Sequence, residues 1–284
     1  MPRKLRRVSA FFKILTILTL VCGALVAGGI YVMRSIKPLE VEPEEPAAAC
    51  TVTASGDTDV LDPEQAANAA TIGGVAFARD LPEDAVVIAY ATVWQESKFF
   101  NIDYGDRDSV GLFQQRPSKG WGETDQLLDP VYATGAFYES LVEISGYEQM
   151  PVYEAAQAVQ ASADGFAYDQ HEQRSRVMAS AFTGAEGAAM TCVHDPEGYA
   201  DPDPDAARTE ITRVFGVEPT AVAAAGRRTT GDLGWAMALW AVANAGEYGL
   251  TQVTYDDQRW TLDNAEEGWA TVPDAAPAGE VVLE

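Results

Sequence analysis

Apolar residues first cluster without interruption from Ile14 to Val32, nineteen positions with no charge, which is just long enough to span a hydrocarbon core. Downstream the apolar positions recur mostly at helical spacing, and proline repeatedly stands where a first helical turn would begin: Asp62 Pro63, Leu81 Pro82, Asp129 Pro130 and Met150 Pro151. The pattern predicts helices at about 63–79, 82–99, 130–145, 151–163 and 169–183, the last closed by Gly184. Between the second and third helices, Asn101 to Thr124 is rich in Gly, Asp and Ser and too long for a simple turn; long structured loops often carry function. Residues 193–206, punctuated by Asp195 Pro196 and Asp201 Pro202 Asp203 Pro204, read as a linker. Beyond it, Trp235, Leu239, Val242 and Ala243 predict a helix over 231–247, followed by alternation in Thr251–Tyr255 and Arg259–Leu262 that predicts two strands joined through Asp256 Asp257. The expected fold is mainly α after one N-terminal transmembrane helix, with a small C-terminal α/β domain at 207–284.

Charge gives the chain an orientation. Arg3, Lys4, Arg6, Arg7 and Lys13 precede the apolar run, which places residues 1–13 in the cytoplasm, 14–33 in the membrane and everything after outside it. A cleaved signal peptide is the alternative, since Ala24 to Ala27 offers small residues to a peptidase, but the run continues through Ile30 Tyr31 Val32 and favours an uncleaved, single-pass anchor. Residues 34–49, rich in Pro, Glu and Ala, read as a stalk. Past residue 37 the chain holds 12 Lys plus Arg against 43 Asp plus Glu, a formal charge of −31 that repels nucleic acid. Cys22 lies in the span, so Cys50 and Cys192 are the two external cysteines and suggest one disulfide in an oxidising compartment; two free thiols are the alternative. Such a bridge closes a loop of about 140 residues and contributes on the order of 5 kcal/mol in the chain-entropy model.

Candidate chemistry centres on Glu96. Ala85, Ala89, Val93, Glu96 and Phe100 form one stripe at spacings of four, four, three and four, so this carboxyl belongs to an apolar helical face near a C-terminus. The negative end of the helix dipole and apolar surroundings both raise a carboxyl pKa, which suits a general acid. Pairing with Lys98 or Arg107 is the purely structural alternative.

Glu96 Ser97 Lys98 Phe99, followed by Asp108 Ser109 Val110 Gly111 Leu112 Phe113 Gln114, resemble the two signature segments of the lysozyme-like soluble lytic transglycosylases. The third family segment, of Ala Tyr Asn Ala Gly type, has its counterpart in Ala156 to Ala163, where Val159 and Gln160 replace Tyr and Asn. The resemblance covers about residues 60–185, implies a lysozyme-like domain at 50–192, and makes Glu96 the general acid/base. The block from Asp103 to Gly122 also resembles a membrane-anchored actinobacterial envelope group, and Gly234 to Ala245 with Arg259 Trp260 loosely resembles the tail half of actinobacterial cell-wall-associated modules, without their histidine-bearing first half.

Cleaving a glycosidic bond needs a proton for the leaving oxygen and stabilisation of oxocarbenium-like charge. A lytic transglycosylase needs only Glu96; an inverting hydrolase needs a second carboxylate, for which Asp106 and Asp108 are the candidates. Tyr104, Ser109, Gln114, Gln115, Trp121 and Gln160 are candidate substrate-binding residues, with Trp121 between two glycines as the expected exposed aromatic and Phe113 expected in the core. Asp103, Asp106 and Asp108 lack EF-hand spacing, and His171 and His194 are the only histidines, so neither metal nor cofactor is expected. The expected function is a membrane-anchored, extracytoplasmic enzyme that cleaves peptidoglycan glycan strands as a lytic transglycosylase or muramidase. The alternative is a non-catalytic peptidoglycan-binding or scaffold protein of the envelope.

Overall fold

A computed structural model describes residues 48–161, 165–226 and 229–284. The expected cytoplasmic segment, membrane span and nearly all of the stalk lie outside the described residues. The chain enters through β1 (Ala49–Ala54), which turns at Ser55 and Gly56 into β2 (Asp57–Leu61). Both turn residues have positive φ, 54° and 84°, as a two-residue hairpin turn matched to strand twist requires. Seven helices of more than two turns follow among the described residues: α1 (Pro63–Ala78), α2 (Glu83–Glu96), α3 (Pro130–Val142), α4 (Val152–Gln160), α5 (Glu172–Phe182), α6 (Pro204–Phe215) and α7 (Leu233–Ala243). Between α5 and α6 lies β3 (Met190–Val193), which pairs with the free side of β1, and Cys50 stands opposite Cys192 in that register. The two are disulfide-bonded across 142 residues, so the bridge ties the start of the fold to the strand after α5.

Helix α1 is the central element. Asp62 caps it in a capping box with Gln65, Pro63 starts it, and most of its later positions are buried all round, as expected of a helix enclosed by others. It packs on α2, α3, α5, α6 and α7. Gly74 permits the close approach of α6, since a Cβ there would stand 2.3 Å from Val214. The hydroxyls of buried Tyr90 on α2 and Tyr138 on α3 donate to the α1 carbonyls of Ala69 and Ile72, at 2.6 and 3.2 Å.

The C-terminal part is a small α/β region in which β4 (Gln252–Tyr255) and β5 (Gln258–Thr261) form the expected hairpin, extended by β6 (Ala270–Thr271) and β7 (Val282–Leu283) into a sheet of order β6-β5-β4-β7. Its separation from the preceding helices does not follow the expected boundary. From Pro46 to Glu284 the chain is one unit, and a single buried cluster runs from Cys50 to Leu283. Trp240 of α7 is 1 % exposed and donates from Nε1 to Thr71 of α1 at 3.1 Å, so a residue expected in one domain completes the core of the other. The segment 193–206 is stitched in place: Ala200 and Asp203 amides donate to Gly246 and Tyr248 carbonyls, Tyr199 reaches Leu250, and Asp203 caps α6. Its prolines punctuate turns and a helix start, as Pro204 does for α6, and mark no linker.

Candidate active site at the end of helix α2

Helix α2 stops abruptly. The amides of Ser97 and Lys98 both donate to the Val93 carbonyl, at 3.0 and 2.9 Å, and the chain then takes two consecutive left-handed residues, Lys98 (φ 56°) and Phe99 (φ 65°). A non-glycine residue in this region costs on the order of 1–3 kcal/mol and persists only where its surroundings over-determine it. They do so here. Phe99 is fully buried, edge-on to Tyr90 and Trp94 at 5.3 and 4.9 Å. Two α1 side chains hold the turn's carbonyls: Gln65 donates to Lys98 O at 2.7 Å and Asn68 to Phe99 O at 2.8 Å.

Glu96 is the last residue of that helix and is half-buried. Its neighbour Ser97 donates from Oγ to the Leu112 carbonyl at 2.7 Å, which joins the helix end to the Gly111–Gln115 segment fifteen residues downstream. That segment is a tight turn closed by a Val110–Gln115 bridge. Gly111 sits there at φ 76°, where a Cβ would meet the Leu127 carbonyl at 2.2 Å. The two segments singled out in the sequence are thus bonded to each other.

The Glu96 carboxylate oxygen Oε1 accepts the Tyr168 hydroxyl at 2.8 Å, and the Gln160 amide donates to the same carboxyl. Burial raises the Glu96 pKa above the usual carboxylate value, and the Tyr168 and Gln160 hydrogen bonds, which favour the charged form, offset part of that rise. Neither Arg107 nor Arg116 pairs with it: Arg107 stands 3.7 Å from Asp106, and Arg116 bonds Asp108 at 2.8 Å. The group is therefore an acid kept more protonated than an exposed glutamate, with two neutral donors ready for its conjugate base. Gln160 also donates to Phe113 O at 2.8 Å, so it spans from the Gly111–Gln115 turn to the acid.

A cleft of about 630 Å³ opens beside Gln160, lined also by Gln114, Trp121, Arg107, Arg116 and Lys119. Trp121 lines in addition an adjoining compartment of about 520 Å³, walled by Tyr132 and Glu139. Glu96 is not in the cleft lining itself; Gln160 links it to the wall.

The remaining expected site residues divide. Gln114 and Trp121 line the cleft, although the Gln114 amide also donates to Tyr104 O and Gly111 O at 3.3 and 3.2 Å, and Trp121 is half-buried where an exposed aromatic was expected. Ser109 and Gln115 do not face a ligand. Ser109 is 7 % exposed and donates to the Asp106 carbonyl within the loop, and Gln115 is 1 % exposed and donates from Nε2 to Ala133 O, tying the loop to helix α3. Tyr104 is exposed on the same loop but is not among the residues lining the cleft. Asp108 takes three donors, Arg116 Nε, Ser118 N and Ser118 Oγ, which hold its carboxyl well below the usual range. Asp106 is exposed. Phe113 is in the core, stacked on Phe137 at 4.6 Å.

Sequence reasoning missed Tyr168, which lies in a 3-10 turn (Gly165–His171) ahead of α5 and carries no periodic signal. It also gave Ser97 no role of its own. Comparison with models of known protein families and with curated proteins found no match to this chain.

Proposed function

We propose that this protein cleaves the glycan strands of peptidoglycan, with Glu96 as the general acid and then the general base. The observation that carries this reading is a helix-terminal carboxyl whose charged form is disfavoured by burial, held by Tyr168 and Gln160, one side chain behind a two-compartment cleft with a tryptophan at its junction. Protonated Glu96 delivers its proton to the glycosidic oxygen as the C1–O4 bond breaks. The resulting carboxylate, stabilised by the two hydrogen-bond donors, takes the proton of the muramyl 6-hydroxyl as O6 bonds to C1. The proton returns to Glu96, no water is consumed, and a 1,6-anhydro end forms.

This single-carboxylate route is preferred to hydrolysis because the candidate second carboxylates are poorly suited to hold water. Asp108 is engaged by three donors and Asp106 is exposed on the loop. The Cys50–Cys192 disulfide fits an oxidising compartment, in keeping with a domain held outside the membrane by residues 14–33 and built on a lysozyme-like plan. A glycan-binding protein without turnover is the second reading, favoured by Gln160 standing between Glu96 and the cleft. The test is release of soluble fragments from purified peptidoglycan by the full chain in detergent and by its Glu96→Gln variant. Release by the wild type that falls at least a hundredfold in the variant is expected of general acid catalysis; equal release by both removes Glu96 from the chemistry.

A further inference from the structure

The cleft beside Gln160 differs in charge from the rest of the molecule. Of the 12 Lys and Arg beyond residue 37, Arg107, Arg116 and Lys119 all line this one cleft, and no carboxylate does among the described residues, in a chain with a formal net charge of −24. Concentrating cations in a concave site on an anionic protein makes a local attractor for negative charge. The charges of Lys119 and Arg107 are left available. Lys119 enters no ion pair among the described residues, and Arg107 meets Asp106 only at 3.7 Å with both side chains largely exposed, a contact of small worth. Arg116 is different: its Nε is fixed by Asp108, which is itself pinned by Ser118 N at 2.8 Å and Ser118 Oγ at 3.0 Å. A guanidinium held this way loses little freedom on meeting a ligand, which favours binding by pre-organisation. Trp121 supplies an aromatic wall beside the cations.

We infer that this cleft binds glycan strands through free carboxylates borne on the strand, with Arg107, Arg116 and Lys119 as the receptor and Trp121 as the stacking wall. This rests on the glycan-cleaving reading above and adds what the cleft selects: acidic strands over neutral ones of the same backbone. Two sources present that chemistry, the lactyl carboxylate of strands stripped of peptide and the carboxylates of the peptide stems.

Binding of soluble glycan fragments to the full-length chain in detergent, measured by calorimetric titration, tests it. Each of two ligands, stripped and peptide-bearing, is offered as its carboxylate and as its carbodiimide-amidated form. The expected result is about tenfold tighter binding of a carboxylate form at low salt, corresponding to a few surface charge contacts, and a loss of that preference at high salt. Preference confined to the stripped ligand assigns the lactyl group; preference confined to the peptide-bearing ligand assigns the stem. The double variant Arg107→Gln, Lys119→Gln, whose sites are exposed and whose folding is checked by its melting curve, should bind both forms of the preferred ligand nearly alike. Equal wild-type affinity for carboxylate and amidated forms, a preference unchanged in the double variant, or no binding of any fragment overturns the inference. Fragment release that depends on Glu96 without any charge preference would sink this inference alone and leave the glycan-cleaving reading standing.

Discussion

Helices α2 and α7 are both nearly enclosed, α7 ending at a cavity and α2 one side chain behind one, yet their ends are finished in opposite ways. At the end of α7, Asn244 and His194 meet neutral partners. Asn244 donates from its backbone and from Nδ2 to Trp240 O, at 3.0 and 2.8 Å, and His194 donates from Nε2 to Val242 O at 2.8 Å, with burial lowering its pKa. At the end of α2, a carboxyl remains half-buried with no counter-ion among the described residues, beyond which two left-handed residues are held against their preference. The adjoining cavities, about 570 and 630 Å³, are too alike for size to separate them. What separates them is unspent chemistry: α7 ends in satisfied hydrogen bonds that stabilise the fold, whereas α2 ends in a titratable group whose ionisation the fold disfavours, a trade of stability typical of reactive sites.

That contrast can be broken from either side. The largest effect is expected for Glu96→Gln, which removes the proton donor and should lower fragment release about 10²- to 10⁴-fold while leaving the protein folded. The same variant should melt higher than wild type at pH 7. Because burial raises the folded-state pKa of Glu96, the native state binds its proton more tightly than the unfolded chain. The stability that this group contributes is therefore complete at pH below the unfolded value and is lost as pH rises through the folded value. Glutamine, a neutral mimic, avoids that loss, so the difference in melting temperature should vanish in acid. At the other helix the outcome should invert: Trp240→Ala removes a 1 % exposed indole and its bond to Thr71, costing about 3–5 kcal/mol in denaturant unfolding with no change in the chemical step of the folded fraction.

Replacing Cys50 and Cys192 together by serine should cost about 2–5 kcal/mol and lower the melting temperature of the whole described unit in one transition, since β1 and β3 belong to the same core as both helices. The subtlest change is expected for Tyr168→Phe. Losing a donor to the carboxylate raises the Glu96 pKa further, so the alkaline limb of the pH–rate profile should move to higher pH. An unmoved limb would show that Glu96 does not titrate in the rate-determining step.

Local signals in the sequence were enough to find both helices and to single out the segments that meet at the end of α2. Proline starts and apolar runs located α1 to α5 within a few residues, and alternation around Asp256 Asp257 located the β4–β5 hairpin. Glu96 Ser97 and Gly111–Gln115 were legible as a pair because each is a short motif, but the Ser97–Leu112 bond that joins them is tertiary. The strands β1 and β2 were missed because Thr51, Val52 and Thr53 alternate over too short a run, between a stalk and a polar turn. Helix α6 did carry a signal, with Ala207, Ile211, Val214 and Phe215 all buried, which the surrounding prolines and aspartates masked. The expected division into two domains failed for a deeper reason. The contact between Thr71 and Trp240 spans 169 positions, and no periodicity of either helix alone reveals that their apolar faces meet.

The most direct measurement is mass analysis of the muramyl ends liberated when the full chain in detergent digests purified peptidoglycan, run beside Glu96→Gln. The expected result is 1,6-anhydro ends from the wild type and none above background from the variant. Reducing ends would replace the single-carboxylate route by hydrolysis, and the absence of any new glycan end from the wild type would contradict the assignment of Glu96 as a glycan-cleaving acid.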